Sequence, residues 1–271
     1  MPKLLFSFLQ YNFVKKFIIF EYKIQTKILM ASISETGHAK NVSNFETMIT
    51  YCTGFGANYN PSNPEILLSE LTTLFDQSKT TLKEVKTTKA PFDEVEGQRK
   101  IIFKSLKPLS TKVLGALRGV NATKTVIADA ETINRKIQGK RADNSVVETP
   151  VGEKPIDKIS VSQQSYDMQI DHFDKLIQLV SIEPKYIPNE TPVKVATLND
   201  YKTQLETINT AVKTNYVPYS NAMIARDKKL YDPVTGLVER AQIVKNYVKS
   251  VFGASSPEYK LINKLRFKVI E

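Results

Sequence analysis

Apolar residues recur along this chain at steps of three and four, the spacing of one buried helix face. Phe45, Met48, Ile49 and Cys52 form the first such stripe, and Gly54 and Gly56 stand where a helix would stop. Asn63 and Pro64 then read as an N-cap and first helical residue. Leu67, Leu71, Leu74, Leu82, Val85, Phe92 and Phe103 carry the next stripe. Val113 and Leu117 mark a further helix, and Val126, Ala130, Ile133 and Ile137 another. In the second half, Leu198, Tyr201, Leu205, Ile208 and Val212 step by 3, 4, 3 and 4, the narrow seam of a coiled coil. Leu237, Ala241, Val244, Val248 and Val251 follow with Gly253 as a stop, then Ser256 and Pro257 as a cap and first position. No segment shows the alternation and turn chemistry of a β-hairpin.

The stripes repeat. The 46 residues from Tyr59 align without a gap to those from Tyr186, at an offset of 127, with ten identities. These include Tyr59/Tyr186, Pro61/Pro188, Pro91/Pro218 and Arg99/Arg226. The Tyr-x-Pro, Val-Lys-Thr, Pro and Arg matches are not heptad features, which points to duplication. Pro91 and Pro218 fall inside long helical patterns, and an interior proline predicts a kink or break at each. The expected fold is all-α: an elongated antiparallel bundle of two related repeats with long, proline-kinked helices. The expected boundaries are a leader at 1–29, repeat 1 at 30–142, a linker at 143–157 and repeat 2 at 158–271. The repeats share one core or form two.

Residues 1–29 differ from the rest. Seventeen of them are Phe, Ile, Lys, Tyr or Asn, the residues of A/T-rich codons, so the segment reads as translated upstream DNA with the start at Met30. A peripheral membrane segment and an export signal are the alternatives. Lys15 and Lys16 interrupt the apolar stretch that a signal would need. The chain carries a formal charge of +10, which favours polyanions without specifying one. One cysteine, Cys52, rules out an intrachain disulfide and fits a reducing, cytoplasmic setting.

Candidate chemistry is sparse. "TGFGAN" at 53–58 lacks the third glycine of a cofactor loop, and no cofactor is expected. His38 reads as a leader residue ahead of the first helix. Asp167, Asp171 and Asp174 share a helix face and read as a solvated acidic surface, with divalent-cation binding as the alternative. Arg135, Lys136, Lys140 and Arg141 surround Gly139, where cations favour a helix C-terminus; a nucleic-acid grip is the alternative. Arg99 and Arg226 either flank an anionic site or pair with nearby acids.

The segments "ASISETGHAKNVSNFE", "INRKIQGKR", "ARDKKLYDPVTGLVE" and "YVKSVFGASSPEYK" resemble an uncharacterised all-helical family of flavobacteria-like bacteria (Bacteroidota). The resemblance implies no activity, and it implies chains that begin near Met30. The expected function is a non-enzymatic scaffold or binding module with a protein partner. A membrane-active role and a polyanion-binding role, with nucleic acid or an anionic membrane as the ligand, stand behind it.

Overall fold

A computed structural model describes residues 33–140 and 164–270 of the chain. The leader, the linker at 143–157 and Arg141 lie outside the described residues. Within them the fold is an all-α bundle without a strand. Its helices are α1 (Ile33–Gly54), α2 (Leu68–Lys104), α3 (Leu106–Gly119), α4 (Lys124–Gln138), α5 (Tyr166–Ser181), α6 (Val195–Tyr231), α7 (Leu237–Phe252) and α8 (Pro257–Lys264). Short 3₁₀ turns precede the two long helices, at Pro64–Ile66 and at Thr191–Val193.

The caps explain where several helices begin and end. Asn63 accepts from the Glu65 N–H, Thr123 from Val126, Ser165 from Met168 and Ser256 from Tyr259. Each satisfies an orphan donor of a first turn. Gly139 ends α4 in the left-handed conformation at φ 72. Its own N–H reaches the Lys136 carbonyl, and the Lys140 N–H reaches that of Arg135.

Helices α2 and α6 are each 37 residues long and start 127 residues apart. The turns before them also recur. The Tyr59 hydroxyl donates to the Ile66 carbonyl at 2.7 Å, and the Tyr186 hydroxyl to the Val193 carbonyl at 2.8 Å. Each bond folds a seven-residue loop back onto a buried tyrosine. At Pro91 and Pro218, where a kink or break is expected, α2 and α6 continue without a break. Both prolines and the threonines four residues before them, Thr87 and Thr214, are exposed, so water reaches the carbonyls that proline leaves without an N–H partner.

The chain divides into two compact units, and the division runs across the repeats. One unit runs up to Lys86 and resumes at Asn221; the other is Thr87–Ser220. The first has a core of Phe45, Met48 and Cys52 from α1, Ile66 and Leu71 near the start of α2, Leu230 near the end of α6, and Leu237, Ala241, Val244 and Val248 from α7. The second unites Phe103, Leu106, Val113 and Leu117 with Ala130 and Ile137 of α4, Phe173, Leu176 and Ile177 of α5, and the α6 seam at Leu198 and Leu205. Each core therefore draws on both halves of the sequence.

Three assignments change. Leu67, expected on the stripe of α2, precedes that helix and is exposed. Helix α1 begins at Ile33, so His38 lies inside it and is buried rather than part of a leader. Val251, expected on the inner face of α7, is 47% exposed in the last turn of that helix.

Candidate functional site

Arg99, in the second unit, lies over the Tyr166 ring at 3.9 Å and donates to the Asn209 amide oxygen. Asn209 in turn donates to Asp167 at 2.8 Å, and Lys213 donates to the same carboxylate oxygen at 2.9 Å. The Lys213 hydrogen bond is the main cause that holds Asp167 below the usual carboxylate range. Arg226, in the first unit, is buried and pairs with Asp227 at 2.9 Å. Arg226 thus pairs with an acid directly, whereas Arg99 reaches Asp167 only through Asn209, and its buried Nε has no hydrogen-bond partner among the described residues.

Arg135, Lys136 and Lys140 do surround the end of α4. Among the described residues the cation that reaches a terminal carbonyl, however, is Lys107, whose ammonium donates to the Gln138 carbonyl, while the Gln164 amide donates to the Lys136 carbonyl. The acidic face of α5 is paired residue by residue: Asp167 with Lys213, Asp171 with Lys175, Asp174 with Lys202. Among the described residues no group of three or more acids, histidines or cysteines is arranged to hold a metal ion. Cys52 is fully buried, and burial pushes its thiol up to about 12, far from the reactive thiolate range. His172 is buried as well, and neither ring nitrogen has a hydrogen-bond partner among the described residues.

A different site emerges in the first unit, on the early turns of α1. Gly37, Lys40, Asn41 and Asn44 fall on one helical face by their 3, 1, 3 spacing. Against it runs the non-helical segment after α8, which leaves Leu265 extended at φ −69, ψ 118. Asn41 holds this segment by both ends of its amide. Its Nδ2 donates to the Lys268 carbonyl at 2.6 Å, and its Oδ1 accepts from the Lys268 N–H at 3.1 Å. Asn44 donates to the Arg266 carbonyl at 2.6 Å. From α7, Lys245 donates to the Leu265 carbonyl at 2.6 Å. The carbonyls of 266 and 268 thus meet α1 while that of 265 meets α7, the alternation of an extended strand.

Two side chains of the segment have seats. Phe267 meets Phe45 edge to face at 6.5 Å between ring centroids, with the Lys245 ammonium 5.4 Å from its ring. Ile270 lies against Gly37, where an added Cβ would stand 2.2 Å from the isoleucine Cδ1. His38 anchors the same helix to the end of α6, with Nδ1 2.5 Å from the Tyr231 hydroxyl.

A cleft of about 560 Å³ opens here, lined by Gly37, Ala39, Lys40, Asn41, Ser43, Asn44, Arg266, Lys268 and Ile270. Among the described residues three cations and no carboxylate line it. Its chemistry is binding chemistry: amides that pair with main chain, and ammonium and guanidinium groups that pair with anions.

Sequence reasoning passed over this site. Its two signals are the asparagine pair Asn41 and Asn44, and the alternation of apolar and basic residues in "LRFKVI" at 265–270. No family model, curated protein or solved structure matches the chain.

Proposed function

We propose that the protein is a non-enzymatic helical-bundle binding protein whose α1 face holds an extended polypeptide segment. The observation that carries this reading is the pair of hydrogen bonds between the Asn41 amide and the main chain of Lys268. One side chain there offers both the donor and the acceptor that a neighbouring strand would offer. Such a clamp reads backbone, while the Gly37 and Phe45 seats read side chains. A second reading, polyanion binding, draws on Lys40, Arg266 and Lys268 around the same cleft. No helix among the described residues is long and apolar enough to cross a membrane. A cytoplasmic setting, from the single cysteine, belongs to the same proposal. So does an origin by duplication, supported by the recurrence of helix, turn and tyrosine bond at 127 residues.

The test uses the full chain carrying Phe267→Asp and Ile270→Asp, which unseats its own segment. A fluorescent peptide of residues 264–270 binds this variant, and the further change Asn41→Leu abolishes the binding. Absence of peptide binding, with the helical circular dichroism intact, refutes the clamp. Salt-resistant binding of duplex DNA or of phosphatidylserine vesicles, lost on Lys40→Glu with Lys268→Glu, moves the assignment to polyanions.

A further inference from the structure

The C-terminal segment matches its seat in shape and mismatches it in charge. Lys40 lines the cleft on α1, and Lys245 reaches the segment from α7. The segment then brings Arg266 and Lys268 into the same space. None of these four cations forms an ion pair among the described residues. Glu239 lines the adjoining space with Lys245 and Arg266. Burial first, and then the neighbouring Arg266, hold the Lys245 ammonium below the usual lysine range. Residues 265–270 therefore add positive charge to a site whose described residues are already positive.

The hydrogen bonds that hold the segment all go to its main chain, so another extended segment can take them over without loss. Leu265, Phe267 and Ile270 are only half-buried, which limits what release costs.

We propose that the α1 seat takes an extended segment of a partner protein, acidic at the positions of Arg266 and Lys268 and apolar at those of Phe267 and Ile270. On binding it displaces the chain's own C-terminal segment. This rests on the reading of Asn41 and Asn44 as a main-chain clamp and adds the partner's chemistry to it. The resident segment competes from a tether, at an effective concentration on the order of mM. It thereby sets a threshold that only a better-matched segment passes.

Two peptides of residues 264–270 are compared on the full chain carrying Phe267→Asp and Ile270→Asp: the parent sequence, and the same peptide with Arg266→Glu and Lys268→Glu. The acidic peptide is expected to bind about tenfold more tightly at low salt, from two charge reversals at partly exposed positions. The gap narrows as salt rises. Equal binding, or tighter binding of the parent, overturns the acidic partner and leaves the clamp standing. Binding of neither overturns both. On the wild-type chain, amide exchange at Lys268 reads displacement directly. Saturating acidic peptide is expected to accelerate it severalfold; unchanged exchange means that the peptide sits elsewhere, and the proposal fails.

Discussion

The two buried tyrosines offer a matched pair of perturbations. Tyr59 and Tyr186 are each 6% exposed, and each hydroxyl donates to a carbonyl seven residues on, at 2.7 and 2.8 Å. Tyr→Phe removes the hydroxyl and leaves the ring in place, so the loss is that of a buried hydrogen bond and not of packing. A buried acceptor deprived of its donor costs about 1–2 kcal/mol. Tyr59→Phe and Tyr186→Phe should therefore each destabilise by that amount. Tyr59 should cost a few tenths more, on the order of a weak thiol contact, because its hydroxyl also meets the Cys52 thiol. The two belong to different compact units with separate cores, so the double variant should show the sum. Urea unfolding by circular dichroism reads this as a midpoint shift of about 0.5–1 M per substitution at unchanged slope. Alkaline titration adds an independent check, since burial pushes the Tyr186 phenol up to about 12 and raises Tyr59 as well. A neutral Tyr186→Phe, or single losses that differ by more than about 1.5 kcal/mol, would contradict the equivalence of the two loops.

His172 and Gly139 supply further expectations. Burial, reinforced by Lys136 and Lys175 and opposed by Asp171, lowers the His172 pKa below 6.5. The folded chain then binds fewer protons than the unfolded one, so this contribution is complete above pH 6.5 and is lost as pH falls through the lowered value. Urea stability should decline across that interval in the wild type and decline less in His172→Leu. The carboxylates Asp167 and Asp171, also lowered, act in a separate and more acidic window, below 3.8. At Gly139, φ is 72 and an added Cβ would stand 2.8 Å from the Gln164 amide oxygen. Gly139→Ala should lower the melting temperature through a loss of about 1–2 kcal/mol, and Gly139→Asn, which tolerates this conformation, less. An unchanged melting temperature in Gly139→Ala would remove the left-handed cap from the account.

Most helix positions can be read from the sequence because their causes are local. Asn63, Ser256 and Gly139 satisfy groups within their own turn, and the α6 seam at 198, 205, 208 and 212 is a periodicity of one element. Periodicity reports that a face is buried, not which helix covers it. That is why the cores drawn from both halves could not be anticipated from stripes alone. His38 shows the same limit. Its neighbours Ser34, Thr36, Gly37 and Asn41 are weak helix formers, and the residue that accounts for its burial, Tyr231, lies 193 positions away. The seat on α1 was illegible for a related reason. Its ligand is six residues at the far end of the chain, too short an alternation to stand out, and its clamp is two asparagines that alone suggest a turn or a cap. Val251 failed as a core residue because it occupies the last turn of α7, where a stripe runs beyond the core it serves.

The order in which the two units can be completed follows from where the chain crosses between them. Thr87–Ser220 is one unbroken stretch, so its core is available as soon as that stretch has been synthesised. The core of the other unit joins Phe45 and Met48 to Leu237, Val244 and Ile262, and must wait until Ile262 has been synthesised. Closing that gap is an entropic cost which an already folded insert reduces, because the ends to be joined then belong to a shorter effective loop. Until that moment α1 carries a bare apolar face. The nascent protein is therefore open to association with other chains from the time α1 emerges until α7 and α8 have been made to cover it.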